Sequence, residues 1–308
     1  MPGVLVISQH AQNFAKLIEA RHLPGLKAHY CEQAGAALPY CDEVEIIFGA
    51  PDRIAPVLDQ CPRLRWVQSS WAGIKPLLER DRRDYQLTGV KDIFGPLMSE
   101  YVLAWLLGLE RQVLQHATAR HWDDAPKPGL AGKTIGIMGT GSIGSHVAST
   151  CKTFAMHTRG LNSDGRGKVG FDACFPVSAK AEFAAGLDYL VALLPETAAT
   201  DNLVDAELLC RLKPGAIVIN AGRANCIVES DLVAALETGQ LGHAVLDVMR
   251  EEPLPEQHPL WAVENLHITS HTAAPTGTES IVEIFCDNYR RYVAGEELRY
   301  PIDFERGY

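Results

Sequence analysis

The sequence predicts an α/β protein built from two doubly wound parallel-sheet domains, on three observations. Short apolar runs alternate with amphipathic segments along most of the chain, a glycine-rich turn joins one run to a helical pattern near mid-chain, and a turn-rich stretch from Trp122 divides the alternation into two blocks. Strands this short, joined through helical pieces, must be linked by crossovers and so lie parallel, with both sheet faces covered. A chain of 308 residues is long enough for two such cores.

In the first block the runs 4–7, 44–48, 64–68 and 85–90 read as strands, and 11–22, 52–60 and 74–80 as helical pieces. Met98, Val102, Trp105, Leu109 and Val113 then recur every three or four positions, with Glu100, Glu110, Arg111 and Gln112 between them. This spacing predicts one helix over 97–119, and Pro96 suits its start. The following Trp122-Asp-Asp-Ala-Pro-Lys-Pro-Gly-Leu cannot continue a helix. In the second block, strands are expected at 134–138, 156–161, 189–194, 216–220, 244–247 and 266–270, helices at 142–154, 205–212 and 229–238, and a glycine-rich loop at 164–170. A last helix, 276–294, stands behind Ala274-Pro275 and is expected to return to the first block, making that domain discontinuous. The limits read as 1–96, 97–274 and 275–308, the first and last forming one domain.

Composition narrows the function. Hydrophobic residues at 47% and charged residues at 21% are those of an ordinary globular enzyme. The net charge of -10 argues against nucleic acid or an anionic membrane as partner. The eight cysteines are scattered, without a Cys-x-x-Cys pair or metal-ligand spacing, so they read as reduced thiols and no metal is expected. The start has no basic leader or signal-peptide core, and no apolar stretch reaches the roughly 18 residues of a spanning helix, so a cytoplasmic protein is expected.

Gly139-Thr140-Gly141-Ser142-Ile143-Gly144 lies directly after an expected strand and before a helix. In that context the first glycine permits a tight turn, the second lets backbone approach a pyrophosphate, and the third lets helix and strand pack closely. The pyrophosphate would rest on N–H groups at the positive end of the helix. A dinucleotide is therefore the expected cofactor. About 20 residues on, where NAD-specific sites carry an acid for the ribose 2′-hydroxyl, Asn162 is followed by Ser163 and Asp164. A neutral Asn162, with Arg159 and Arg166 nearby, favours NADP over NAD, while Asp164 keeps NAD open.

Three further segments follow strand-like runs: Ile217-Val-Ile-Asn-Ala-Gly-Arg223, Val245-Leu-Asp247-Val-Met-Arg-Glu-Glu252-Pro-Leu-Pro, and His267-Ile-Thr-Ser-His271-Thr-Ala-Ala-Pro. Ligands of such sheets bind beyond the carboxyl ends of the strands, so these segments can converge. Together with the glycine loop, Leu193-Leu194-Pro195-Glu196-Thr197, Met98-Ser-Glu-Tyr-Val-Leu and Trp71-Ala-Gly73, they span most of the chain. In this order they resemble the D-isomer specific 2-hydroxyacid dehydrogenase family, in its glyoxylate/hydroxypyruvate reductase branch. The resemblance implies a Rossmann NAD(P)-binding domain inserted in a flavodoxin-like substrate domain.

It also implies residue roles. Arg223 would grip the substrate carboxylate and polarise the 2-oxo group, a task suited to a forked, permanently charged guanidinium. His271 would protonate the carbonyl oxygen as hydride reaches carbon, and Glu252 would hold the other ring nitrogen. Trp71, Ala72 and Gly73 match a loop whose N–H groups meet the substrate carboxylate. Asp247 matches a residue bonded to the nicotinamide carboxamide, and Leu194, Pro195, Thr197, Ala221 and Gly222 match cofactor-side loops, where Arg223 and His271 also take part. Bland readings stand beside these: Arg223 as a solvated arginine, Glu252 as one member of the charge run Arg250-Glu251-Glu252, His258 or His267 in place of His271, Trp71 as a core aromatic, and Thr197 as a helix cap.

The expected function is reduction of a small 2-oxo acid, glyoxylate or hydroxypyruvate preferred, to the 2-hydroxy acid, the smaller domain closing about hinges near Pro96 and Ala274. The rivals are a dehydrogenase of a bulkier D-2-hydroxy acid and a dinucleotide-sensing corepressor-like protein, which the lack of a tail beyond the two domains disfavours. A homodimer through the 97–119 helix is expected.

Overall fold

Val4, Leu5, Val6 and Ile7 are fully buried, every residue of a continuous apolar run, because β1 (Gly3–Ile7) is an inner strand covered on both faces. A computed structural model describes residues 2–305; Met1 and residues 306–308, at the outer ends of the expected domain limits, lie outside the described residues. The chain forms two compact units, one of residues up to 93 with those from 276 on, the other of 94–275.

In the first unit β1 is followed by α1 (Ala11–Glu19), β2 (Lys27–Cys31), α2 (Ala34–Ala37), β3 (Val44–Gly49), α3 (Pro51–Ile54), β4 (Trp66–Ser69), α4 (Lys75–Leu78) and β5 (Gln86–Thr88). The five strands are parallel in the order β2-β1-β3-β4-β5, the flavodoxin-like arrangement with its switch point between β1 and β3. The last helix of the chain, Thr278–Ala294, belongs to this unit. Its Phe285 ring stacks 4.5 Å from Phe48, which stacks 4.9 Å from Phe14 of α1. Its Asn288, fully buried, donates to Gln68 Oε1 at 2.9 Å and to the Arg299 carbonyl, and accepts from Arg299 N. Burial of these apolar rings is worth about 1.5–3 kcal/mol each, and the satisfied Asn288 sets the position of the helix on β4.

The second unit opens with α5 (Gly95–Glu110) and α6 (Val113–Thr118). One helix over 97–119 was expected; the chain breaks at Gln112, whose φ of 50° is left-handed and ends the helical ladder. There follow β6 (Thr134–Met138), α7 (Ser142–Thr153), β7 (His157–Asn162), β8 (Ala173–Pro176), α8 (Lys180–Ala184), β9 (Tyr189–Ala192), α9 (Ala206–Leu209), β10 (Ala216–Asn220), α10 (Glu229–Glu237), β11 (Leu241–Leu246) and β12 (Leu266–Ile268), leaving Thr278–Ala294 as α11. All seven strands are parallel in the order β12-β11-β10-β9-β6-β7-β8.

Strand residues alternate between two apolar layers. Tyr189, Val191, Ile217 and Ile219 join Met98, Val102 and Leu106 of α5, whereas Leu190, Ala192 and Val218 face Phe183, Leu208 and Leu232 on the other side. This is the doubly wound Rossmann arrangement, and its strand order reverses between β6 and β9. Strands β2 and β8 and helix α8 had no counterpart in the sequence reading. Both strands are sheet edges with half-exposed residues; β2 mixes polar with apolar residues, and β8 is only the four residues Ala173–Pro176, closed by a proline. Helices α3 and α4 are single turns, shorter than the segments expected at 52–60 and 74–80.

Candidate active site at the carboxyl edge of the larger sheet

The glycine loop leaves β6 at the switch point, where the Leu193 amide after β9 donates to the Met138 carbonyl at 2.8 Å. Gly139 has φ 98°, and a Cβ there would meet the Leu193 carbonyl at 2.6 Å; one on Gly144 would stand 2.0 Å from the Gly139 carbonyl. A Cβ on Gly141 would meet nothing within 4 Å. The loop is thus closed where it packs and open at its middle glycine. Helix α7 starts at Ser142 with no side-chain cap and no acidic residue in its first turn, so its positive end is left for an anion. These residues fit a dinucleotide pyrophosphate. Ile143 packs against the core beneath, and Thr140 is buried.

At the end of β7, Asn162 donates to Thr140 Oγ1 and to the Arg166 carbonyl, both at 3.0 Å, while its Oδ1 accepts from Gly165 N at 2.6 Å. Its side chain therefore ties the 163–166 turn to the glycine loop. Ser163 is exposed, and the exposed Arg166 pairs with Asp164 at 3.3 Å. Arg159, read as a possible charge for this region, points elsewhere: its guanidinium donates to the Ala185 carbonyl at 2.8 Å, beyond α8.

The Leu194-to-Thr200 turn is closed by Thr200, whose hydroxyl donates to the Pro195 carbonyl at 2.7 Å and accepts from Thr197 N at 3.0 Å. Thr197 is thus part of a loop lock rather than the cap of a helix. Leu194 packs on the core, and a Cβ on Gly222 would stand 2.7 Å from Leu194 N, so this loop and the turn after β10 touch backbone to backbone. Ala221 is buried in the other apolar layer, its amide bonded to the Ala192 carbonyl.

Strands β10, β11 and β12 are neighbours, and each delivers one segment to the same carboxyl edge. After β10, the buried Asn220 accepts from Gly222 N and donates to the Arg223 carbonyl, both at 3.1 Å, fixing the turn that presents the half-buried Arg223. The Arg223 guanidinium donates to the Gly222 carbonyl at 2.7 Å, which uses one of its five N–H donors.

After β11, Asp247 is 2% exposed and its oxygens accept from Thr269 Oγ1, Thr272 N at 2.8 Å and Ala273 N at 2.9 Å. Its carbonyl accepts from His271 N at 2.8 Å. Asp247 therefore wraps the segment after β12 and holds His271 at φ 54°, a left-handed conformation that a non-glycine residue keeps only when its surroundings impose it. Tyr101 of α5 bonds Thr269 Oγ1 at 2.7 Å behind this wrap, and burial pushes its hydroxyl up to about 12. Thr269 and Tyr101 carry no periodic signal and were missed; Thr269 stands out in the sequence only as a hydroxyl two residues before His271.

His271 Nδ1 lies 2.9 Å from Glu252 Oε2, and the other Glu252 oxygen accepts from Met249 N at 3.0 Å. An ionised carboxylate only accepts, so Nδ1 carries the proton toward Glu252, on an imidazole whose side chain is 52% exposed. Of the other histidines considered, His258 accepts from Leu260 N and His267 pairs with His243 at 3.3 Å.

Trp71, Ala72 and Gly73 follow β4 in the smaller unit. Ser69 Oγ accepts from Trp71 N at 3.0 Å and donates to the Trp71 carbonyl, so the Trp71 amide is already committed. Trp71 is 43% exposed, which sets aside the core-aromatic reading. It lines a cavity of about 280 Å³ at the carboxyl ends of β1, β3 and β4, with Ser8, His10, Arg53 and Ser70. Among the described residues no cluster of His, Cys, Asp or Glu could hold a metal ion, and no helix is long and apolar enough to cross a membrane.

A glycine loop at a parallel-sheet switch point and an imidazole–carboxylate pair three and four strands away define the class, a nicotinamide-dinucleotide-dependent oxidoreductase. Comparison narrows it. The profile of the D-isomer specific 2-hydroxyacid dehydrogenase NAD binding domain matches residues 103–273. Glyoxylate/hydroxypyruvate reductase A of Serratia proteamaculans is 32% identical over 259 residues, 80% of this chain and 82% of that one. A D-isomer specific 2-hydroxyacid dehydrogenase family protein from Aeromonas salmonicida superposes with a TM-score of 0.91 at 42% identity, over 99% of this chain and 100% of that one. The NADPH-dependent glyoxylate/hydroxypyruvate reductase of Sinorhizobium meliloti, solved with NADP and sulfate, gives 0.85 at 26% identity, over 99% and 100%. The chain belongs to the D-isomer specific 2-hydroxyacid dehydrogenase family, as an NAD(P)-dependent 2-hydroxyacid dehydrogenase.

Proposed function

We propose that the protein reduces a short 2-oxo acid, glyoxylate or hydroxypyruvate preferred, to the 2-hydroxy acid with NADPH, and less well with NADH. The observation that carries this reading is the His271–Glu252 contact at the sheet edge that also bears Arg223 and the glycine loop. Bound nicotinamide supplies the hydride. Arg223 binds the substrate carboxylate through its forked N–H groups and draws electron density toward the 2-oxo oxygen. His271 holds a proton on Nε2 for that oxygen, while Nδ1–H stays on Glu252, so the ring keeps one orientation before and after transfer. Asp247 acts through the backbone of His271, and one of its oxygens still has a lone pair for the carboxamide. Trp71, Ala72 and Gly73 are the proposed carboxylate-binding loop of the smaller unit, through the Ala72 and Gly73 amides.

The neutral Asn162 and the exposed Arg166 support NADPH, as does the NADP complex of the Sinorhizobium relative. Eight free thiols are in keeping with a cytoplasmic protein. A homodimer through α5 and α6 is supported by the exposed Leu97 in the first turn of α5 and the exposed Val113 at the start of α6. Following reduced-nicotinamide absorbance with glyoxylate, hydroxypyruvate and a panel of longer oxo acids tests the reading. Turnover confined to bulky acids would overturn the substrate class, and no turnover with any acid would leave a dinucleotide-binding protein.

A further inference from the structure

Arg250 stands in the charge run Arg250-Glu251-Glu252, and solvent reaches it, yet its guanidinium points at backbone. Its Nη2 lies 2.6 Å from Asn202 Oδ1, 3.0 Å from the Asn225 carbonyl and 2.8 Å from the Ile227 carbonyl. Those acceptors belong to two other segments of the edge. Residues 225–227 complete the turn that begins with Arg223, whose carbonyl accepts from Cys226 Sγ. Asn202 continues the 194–200 loop.

These two segments are already stitched by main chain: Asn202 N donates to the Asn225 carbonyl, Val204 N to the Cys226 carbonyl and Val228 N to the Val204 carbonyl. Arg250 attaches the third segment, 249–252, to that seam. Within it the Met249 amide is bonded to Glu252 Oε1, so a shift of residue 250 is passed to the carboxylate that orients His271.

We propose that Arg250 is a positioning residue for the reaction, a single guanidinium that sets the loop carrying Glu252 against the turn carrying Arg223. The inference rests on the roles proposed above for Arg223, Glu252 and His271. A guanidinium suits the task because it is always charged and rigid, and hydrogen bonds from a charged donor to carbonyls are among the stronger neutral–ionic kinds. Arg250 touches neither the glycine loop nor the 163–166 turn in these bonds, so its loss acts on alignment at the reacting centre and much less on the dinucleotide. Misalignment of about 1 Å is enough to cost up to about 100-fold in rate.

The test is the set Arg250→Met, Arg250→Lys and Asn202→Ala, assayed well below their melting temperatures with saturating NADPH. Arg250→Met is expected to lower kcat about tenfold or more, with KM for NADPH changed less than about threefold. Arg250→Lys, which keeps the charge without the fork, recovers part of the loss. Asn202→Ala acts in the same direction, and its effect is less than additive with Arg250→Met. Hydrogen exchange gives a readout without substrate: the Met249 and Asn202 amides exchange faster in Arg250→Met. A variant with lowered melting temperature but unchanged kcat and unchanged exchange at these amides overturns the proposal. If Arg250→Met does not fold, the other two variants decide on the same criteria. If the unaltered protein reduces no oxo acid, the function proposed above fails, while the exchange data still decide whether Arg250 holds the two segments together.

Discussion

His271 Nδ1 stands 2.9 Å from Glu252 Oε2, and both residues are tied to the segment after β11, Glu252 through the Met249 amide and His271 through the Asp247 carbonyl. The pair makes the strongest kinetic prediction. His271→Ala is expected to lower kcat about 10²–10⁴-fold with little change in dinucleotide affinity. Glu252→Gln, which can present a donor to Nδ1 and admit the wrong tautomer, is expected to lose less. Steady-state kinetics with dinucleotide binding followed by fluorescence checks both, and an alanine variant with intact turnover would falsify the role of the imidazole.

Arg223 is held by Asn220 so that most of its N–H donors are unspent on the turn. Arg223→Lys keeps charge but loses the fork. A loss of about 1.5–3 kcal/mol, the range for hydrogen bonds to charged groups, corresponds to about 10- to 150-fold in kcat/KM for the oxo acid. Arg223→Met is expected to be worse than lysine, and equal activities of the two would argue against carboxylate binding.

Cofactor choice is predicted to sit in the 162–166 turn. Arg166→Ala should lower kcat/KM for NADPH about tenfold and leave NADH nearly unchanged. Asn162→Asp should move the preference toward NADH, and also weaken NADPH use by removing the donors that hold Thr140 and the Arg166 carbonyl. Paired kinetics with both dinucleotides read the ratio; a ratio insensitive to both changes would place discrimination elsewhere.

Acid stability should report on His243 and His267. Burial pushes both imidazoles below their ordinary value, helped at His243 by its neighbour His267 and opposed by Glu110. Below the ordinary imidazole value of about 6.5 the unfolded chain takes up protons that the folded one resists. The stability from these groups is therefore complete above that pH and drains away as pH falls toward their depressed folded values. Melting temperature measured from neutral pH downward should decline over this window, and less steeply in His267→Gln.

In the smaller unit, Asn288→Leu is expected to destabilise by about 1–3 kcal/mol. It strips hydrogen bonds from the buried Gln68 and from the Arg299 backbone without opening a cavity. Urea denaturation measures it. A neutral result would mean that α11 is held by its apolar and aromatic packing, such as the Phe14–Phe48–Phe285 stack, without help from Asn288.

The class of fold was written in local pattern. Inner strands such as 4–7 and 216–219 are buried on both faces and so are apolar throughout, and Gly139 and Gly144 stand where a Cβ would collide with backbone. The edge strands β2 and β8 were not legible because Lys27 and His29 interrupt the apolar pattern of β2, while β8 is four residues long and ends in Pro176. The break at Gln112 was hidden because apolar periodicity continues across it to Val113.

By itself the sequence determined two parallel sheets and the loop that opens α7, since both rest on contacts between residues near each other in the chain or on the period of a single element. Tertiary structure alone decided that Arg159 turns away to α8, that Asp247 wraps the backbone of His271, and that Arg250 leaves its charge run to join Asn202 and Ile227. Those partners are 23 to 48 residues apart. Their meeting depends on strand order, which no local period encodes.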